Sequence, residues 1–141
     1  MKELTTEAKV ENLQQVLEFV DTELELADCP MSPQVQIDVA VEELFVNVAH
    51  YAYTPEIGEV TMQLEIKGDP GVFQMTFIDR GIPFDPLAHQ DPDTTLSVDE
   101  RPIGGLGIYM VKKTMDDMTY RRVGELNIVT IRKTLAEPEI D

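Results

Sequence analysis

The chain has 141 residues and a mass of 15.9 kDa, 43% hydrophobic and 27% charged, which suits one globular domain with a buried core and excludes a multidomain machine. Acidic residues outnumber basic ones 27 to 11, giving a net charge of -16 and a pI near 4.3. No cluster of Lys and Arg is dense enough to follow a phosphate backbone, so we expect neither nucleic acid nor an anionic membrane as a partner.

The single cysteine, Cys29, excludes an internal disulfide and a thiolate metal cage. Residues 1–7 lack the apolar core of a signal peptide, and no stretch approaches the roughly 18 apolar residues of a membrane span. We therefore expect a cytoplasmic protein.

The first third of the chain predicts a short edge strand and two helices. Residues 2–9 are interpreted as the strand. Apolar residues then recur at helical spacing over residues 10–26. Ser32 followed by Pro33 is typical of an N-cap and a first helical residue, and this second helix is expected to end near Tyr51.

The remaining elements are mostly strands. Apolar and polar residues alternate over residues 60–66 and 73–79, which predicts an antiparallel hairpin, and two closing strands are expected at residues 118–123 and 126–133. This order predicts an α+β fold: a two-layer sandwich with helices packed on one face of a mixed, mostly antiparallel sheet.

Residues 80–103 have little periodicity and contain four prolines, which is typical of a lid or a binding loop. A glycine-rich stretch follows, and a short helix is predicted from Ile108. Residues 1–135 should therefore form a single domain, and residues 136–141 a frayed acidic tail.

Three short motifs carry candidate chemistry, and the first lies on the second helix. Glu43 and Asn47 are four residues apart, so both side chains project from one helix face. A carboxylate can accept a proton from a hydroxyl, and an amide oxygen is a hard ligand that suits Mg²⁺. Glu42 projects elsewhere and is expected to be solvated. The same spacing also fits two residues that only face solvent or cap the helix edge.

The second motif places Asp79 at the end of an apolar strand and Gly81 two residues later. The carboxylate can accept a hydrogen bond from an exocyclic amine such as that of adenine, and the glycine lets a flat ring approach the backbone. In the structural alternative, Asp79 caps the turn and Gly81 supplies a positive φ.

The third motif is the pair Gly105 and Gly107, on either side of Leu106, before the predicted third helix. Glycines at a helix N-terminus leave backbone N–H groups free to face an anion, aided by the helix dipole. A flexible hinge is the alternative. The stretch is not a Walker loop, and it lacks the third glycine of the dinucleotide fingerprint.

In this order and spacing, the three motifs resemble the N box and the two glycine boxes of the GHKL (histidine-kinase-like) ATP-binding fold, over about residues 2–134. Within that fold the chain is most similar to the stand-alone bacterial anti-sigma factor serine/threonine kinases. The resemblance implies ATP and Mg²⁺ as cofactors. It implies Glu43 as the general base on a serine hydroxyl, Asn47 as the Mg²⁺ ligand and Asp79 as the group that binds the adenine amine.

The resemblance also implies the rest of the nucleotide site. Its further residues are Gly81, Gly105, Leu106 and Gly107. A mobile lid corresponds to about residues 87–103, and Arg101, the only basic residue of that lid, is the candidate contact for the γ-phosphate. Tyr51 stands where members of the family commonly carry a histidine; His50 comes one residue early and receives no catalytic role.

By the same resemblance, the partners are a sigma factor that the protein sequesters and an anti-sigma-factor antagonist that it phosphorylates, and homodimers are common in the family. The main alternative is a nucleotide-responsive, partner-binding switch module of the same fold without kinase activity. A third hypothesis is an ATP hydrolase in which Glu43 activates water. Transfer of labelled phosphate from ATP to a partner's serine distinguishes the kinase from both.

Overall fold

The structure, a computed structural model, describes residues 1–88 and 105–136, and within these residues it contains three α-helices and five β-strands. The helices are α1 (Leu13–Leu26), α2 (Met31–Asn47) and α3 (Gly105–Thr114). The strands are β1 (Lys2–Glu7), β2 (Glu59–Lys67), β3 (Val72–Asp79), β4 (Asp117–Val123) and β5 (Leu126–Thr134). Short 3₁₀ turns lie at Val10–Asn12 and Pro86–Ala88, and a π-helical turn lies at Val48–Ala52.

The five strands form one sheet in the order β1-β2-β3-β5-β4, and all four neighbouring pairs are antiparallel. The predicted α+β class is confirmed. The prediction of a mixed sheet is wrong for the described strands, because no two neighbouring strands are parallel. Strand β4 runs in the same direction as β3, but β5 lies between them, so no parallel pair forms.

The predicted hairpin of β2 and β3 is confirmed and carries much of the core. Its side chains alternate between buried and partly exposed positions, so one face of the hairpin packs inward. The register places Met62 opposite Phe77 and Leu64 opposite Met75, and all four of these residues are buried. The hairpin turns at Gly68, whose φ of +92° suits a residue without a Cβ.

The helices cover this face of the sheet. Helix α1 buries one apolar stripe and α2 buries another against the strands. Large, fully buried residues come from both layers and include Leu24, Ile37, Phe45, Phe73, Phe77 and Ile131. Among the described residues, no helix is both long and apolar enough to cross a bilayer.

Helix α2 begins earlier than predicted, whereas its helical path ends close to the predicted position. It begins at Met31, so Ser32 is its second residue rather than its N-cap. The residue that precedes it is Pro30, whose extended backbone ends the preceding turn and whose carbonyl accepts a hydrogen bond from Gln34 N at 3.2 Å. At the other end, the π-helical turn carries the chain just past the predicted end at Tyr51.

Helix α3 begins at Gly105, three residues earlier than predicted. The glycines of the third motif are therefore in the first turn of the helix and do not precede it. The first-turn N–H groups of any α-helix lack intrahelical partners, so the predicted source of free donors remains.

The interface of α1 and α2 contains several carboxyl groups, and neither helix carries a Lys or an Arg. Residues 10–66 contain no Lys or Arg. Asp38 on α2 has a buried Oδ1 atom with no hydrogen-bond partner among the described residues. Burial, a hydrogen bond with Asp21, and the negative charges of Asp21 and Glu25 raise the pKa of Asp38 to about 8. At neutral pH this carboxyl group therefore retains its proton.

Candidate nucleotide-binding site

One end of the candidate site is built around Asp79, the last residue of β3. This side chain is only 6% exposed. Its Oδ1 atom accepts hydrogen bonds from Gly81 N at 2.8 Å and from Asn127 Nδ2 at 2.9 Å. Asn127 lies on β5 directly opposite Asp79 in the strand register, so the sheet itself brings the two residues together.

Asn127 is the centre of the hydrogen-bond network at this end. It is 3% exposed, and besides Asp79 its Nδ2 atom donates to Ile82 O at 2.8 Å. Its Oδ1 atom accepts from the hydroxyl of Tyr120 at 2.7 Å and from Phe84 N at 3.4 Å. One amide therefore connects β3, β4 and the loop after Asp79. We call the hydrogen-bonded set Asp79, Gly81, Tyr120 and Asn127 the base-end network.

Gly81 is required by packing rather than by its backbone angle. The positive φ values among the described residues belong to Asp28, Gly68 and Gly124, so the alternative in which Gly81 supplies a positive φ is wrong. A Cβ atom on Gly81 would overlap the Ala52 carbonyl group. The contact is close because the Ala52 carbonyl also accepts a hydrogen bond from Ile82 N at 2.9 Å. The glycine loop is thus attached directly to the π-helical turn.

Two further side chains brace this loop. The guanidinium of Arg122 donates from Nη1 to Gly81 O at 2.8 Å and from Nε to Gly124 O at 3.1 Å. The hydroxyl of Tyr53 donates to Glu59 O at 2.6 Å and accepts from Arg80 N at 2.7 Å. Burial is the main cause that raises the pKa of Tyr53, so its hydroxyl stays protonated and able to donate.

A small cavity of about 30 Å³ opens beside Asp79. Its lining is mostly apolar, with three polar residues, and consists of Leu44, Asn47, Val48, Tyr51, Ala52, Phe77, Asp79, Phe84, Pro86, Asn127 and Val129. The rings of Tyr51 and Phe84 stack at a centroid distance of 5.9 Å and an interplanar angle of 16°. This stacked pair forms part of the lining of the cavity.

The other end of the candidate site lies where α2 meets α3. A Cβ atom on Gly107 would overlap the carboxylate of Glu43, so the glycine is what allows the first turn of α3 to lie against this side chain. Burial and the neighbouring charge of Glu42 raise the pKa of Glu43. A carboxylate with a raised pKa is a better proton acceptor than an exposed one.

The predicted site residues thus fall into two described groups. Asn47 and Asp79 line one cavity, and Glu43 lies against Gly107. Gly105 and Leu106 are the first two residues of α3. Arg101 and most of the expected lid, residues 89–103, lie outside the described residues, as do residues 137–141 of the expected tail. Glu42 is exposed, as predicted.

Sequence reasoning missed four residues of the base end: Tyr53, Tyr120, Arg122 and Asn127. Asn127 had a detectable signal, because it is a polar residue in an otherwise apolar strand segment, Leu-Asn-Ile-Val. Its meaning depends on pairing with Asp79, 48 residues earlier, which the sequence alone does not provide.

The geometry agrees with the comparisons with known proteins. Residues 6–133 match the sequence model of the histidine kinase-like ATPase domain, and the chain therefore belongs to this family. This confirms the fold that the three motifs implied.

Among its relatives are two proteins named serine-protein kinase RsbW, from Bacillus cereus strains G9842 and B4264. Each is 27% identical over 84 residues, which cover 57% of this chain and 51% of the relative. The chain thus spans about half the length of the curated relatives that it matches.

Two solved structures share the fold. The RsbU and RsbW domains of Rv1364c from Mycobacterium tuberculosis align with a TM-score of 0.68 and 16% identity, over 98% of this chain and 34% of that one. The histidine kinase domain of the blue-light activated kinase EL346 from Erythrobacter litoralis aligns with a TM-score of 0.51 and 21% identity, over 75% and 46%.

Proposed function

We propose that the chain is a serine/threonine protein kinase of the anti-sigma factor type. It uses Mg-ATP to phosphorylate an anti-sigma-factor antagonist, and it otherwise sequesters a sigma factor. The observation that carries this proposal is the contact of the Glu43 carboxylate with Gly107 in the first turn of α3. Glu43 lies on α2, and the same helix brings Asn47 to the cavity beside Asp79. The relatives named as serine-protein kinases support it.

The proposed roles follow from what each group can do. Asp79 accepts a hydrogen bond from the adenine amine in a cavity lined mainly by apolar side chains. The N–H groups of Gly105, Leu106 and Gly107 belong to the first turn of α3 and can face phosphate oxygens. Glu43 accepts the proton of the attacking serine hydroxyl.

The donor set at Asn47 fits a magnesium ion. The amide oxygen of the half-buried Asn47 is a hard ligand, and Mg²⁺ takes few protein ligands beside phosphate oxygens and water. When bound, the ion would neutralise charge on the phosphates. Arg101 is proposed to contact the γ-phosphate from the lid.

The acidic surface supports the proposed protein partners. The net charge of -16 suits a basic partner surface and steers its association. The sigma factor, the antagonist and a homodimer all belong to this proposal.

A phosphotransfer assay tests the kinase. The chain is incubated with Mg²⁺, γ-labelled ATP and candidate antagonist proteins, and label is expected on a partner serine. The Asn47→Ala variant should lose the Mg²⁺-dependent part of the ATP affinity in calorimetry. Label on no partner, together with ATP-dependent complex formation, would identify the switch module instead. Phosphate release without a protein acceptor would identify the hydrolase.

A further inference from the structure

The carboxylate of Asp79 has two oxygens in different situations. Its Oδ1 atom accepts from both Gly81 N and Asn127 Nδ2, and these two hydrogen bonds use both lone-pair directions of that atom. The Oδ2 atom has no hydrogen-bond partner within residues 1–88 and 105–136. One oxygen of Asp79 is therefore left for a ligand in the cavity that this residue lines.

The amide of Asn127 is held in one orientation. Both of its N–H groups are used, one by Asp79 and one by Ile82 O. Rotating the amide by half a turn would set its oxygen against these two acceptors. At the opposite end, the Tyr120 hydroxyl donates to Oδ1 at 2.7 Å, the shortest hydrogen bond that this amide makes. Tyr120 therefore anchors the amide with its nitrogen toward Asp79.

The number of free oxygens matters for the choice of purine. Guanine presents two adjacent donors, N1–H and the 2-amino group, which a carboxylate accepts with both oxygens. Adenine presents its 6-amino group beside the acceptor N1, and one carboxylate oxygen suffices for it. A carboxylate restricted to one oxygen therefore fits adenine better than guanine.

We infer that Asn127, anchored by the hydroxyl of Tyr120, restricts Asp79 to one oxygen and thereby selects adenine over guanine nucleotides. Asn127 and Tyr120 are positioning residues in this role, because they act through Asp79. The inference rests on the proposed function, since it requires that the cavity beside Asp79 receives the base of ATP.

Calorimetric titrations of the whole chain with ATP and with GTP test this inference. The measured quantity is the ratio of the GTP Kd to the ATP Kd. Tyr120→Phe removes only the anchoring hydroxyl, and it is expected to lower this ratio about threefold. Asn127→Ala removes one of the two hydrogen bonds to Oδ1 of Asp79, leaves only the one from Gly81 N, and is expected to lower this ratio about tenfold or more.

Tyr109→Phe is the matched control. It makes the same chemical change on α3, where the ring lies 5.5 Å below Lys113 Nζ, outside the base-end network. Its ratio should equal that of the wild type. Amide exchange in NMR gives a second measurement: the Asn127 side-chain protons are expected to exchange more slowly in the wild type than in Tyr120→Phe.

The outcomes separate this inference from the proposed function. A wild-type ratio above one that falls in both variants, with the Tyr109→Phe ratio unchanged, supports the inference. Tight ATP binding with the same ratio in Tyr120→Phe and Asn127→Ala overturns the inference and leaves the proposed function standing. A wild type that binds neither nucleotide overturns both.

Discussion

The two ends of the candidate site are built differently. At the base end, Asp79 and Asn127 are buried, hydrogen-bonded to one another and fixed by the register of β3 and β5. At the proposed phosphate end, Glu43 is only partly buried. It lies against the first turn of α3, which can come this close only because Gly107 has no Cβ atom. Under the proposed function, base recognition would therefore depend on the sheet, and phosphotransfer on how α2 and α3 pack.

This comparison makes Glu43→Gln the variant with the largest expected effect. The amide keeps the shape of the side chain but cannot accept the serine proton. We expect phosphotransfer to fall about 10³-fold while ATP affinity changes less than twofold. Rapid-quench assays measure transfer and calorimetry measures binding. The neighbouring Glu42→Gln should keep most of its activity. Loss of ATP binding in Glu43→Gln would mean that this residue belongs to the binding end.

Gly107→Ala should have the second-largest effect, because it changes only the contact between α3 and Glu43. The added methyl group displaces the carboxylate, and misplacing a catalytic group by about 1 Å lowers rates about 100-fold. We expect that loss in kcat with a nearly unchanged Tm. Met110→Ala, at an exposed position of the same helix, is the control. A fully active Gly107→Ala variant would contradict the proposed position of Glu43 in the reaction.

Asp79→Asn probes the other end and should alter binding instead. The side chain keeps its volume but loses the negative charge that accepts hydrogen bonds from Gly81, Asn127 and the base. We expect ATP affinity to fall about tenfold, with a reduced preference for ATP over GTP. The exposed Asp117→Asn, which removes an ion pair with Arg132, is the control. Unchanged affinity and selectivity would place the purine elsewhere.

The pH dependence of activity should show a smaller effect, which comes from Glu43 and not from the base end. A general base works only when deprotonated, so activity should fall as pH drops through the raised pKa of Glu43. Glu42→Gln removes a charge that raises this pKa, and the acid limb of kcat/KM should move to lower pH. Glu56 is exposed and does not contribute to the raised pKa of Glu43, so Glu56→Gln should leave the limb in place. An acid limb that also stays in place in Glu42→Gln would exclude Glu43 as the titrating base.

Asp38→Asn tests whether the α1–α2 interface is independent of both ends. The folded chain holds the Asp38 proton up to about pH 8, whereas an unfolded chain releases it near pH 4. Stability should therefore fall as pH rises between these values. At pH 8.5 we expect Asp38→Asn to raise the Tm by about 4 °C with unchanged ATP affinity, and Glu56→Gln to leave the Tm unchanged. A Tm difference that does not depend on pH would contradict the shared proton.

The sequence predicted local features best. Helical and strand periods identified the elements of the two layers, and helical geometry placed Glu43 and Asn47 on one face. It failed where distant segments meet. The pairing of Asp79 with Asn127 depends on a strand register that turns and packing determine. The contact of the Gly81 loop with Ala52 depends on a π-helical turn that no residue pattern predicts. The start of α2 was misassigned because Ser32 has cap chemistry, whereas Pro30 ends the preceding turn.

The position of β5 between β3 and β4 has a consequence for synthesis on the ribosome. Asp79 leaves the exit tunnel with one side of its strand unpaired, and its partner Asn127 follows 48 residues later. Until that strand inserts, the nascent chain lacks the wall that orients the carboxylate. The proposed purine pocket is therefore completed only after the hairpin of β2 and β3 and the three helices have been translated, and under this proposal nucleotide binding requires the complete sheet.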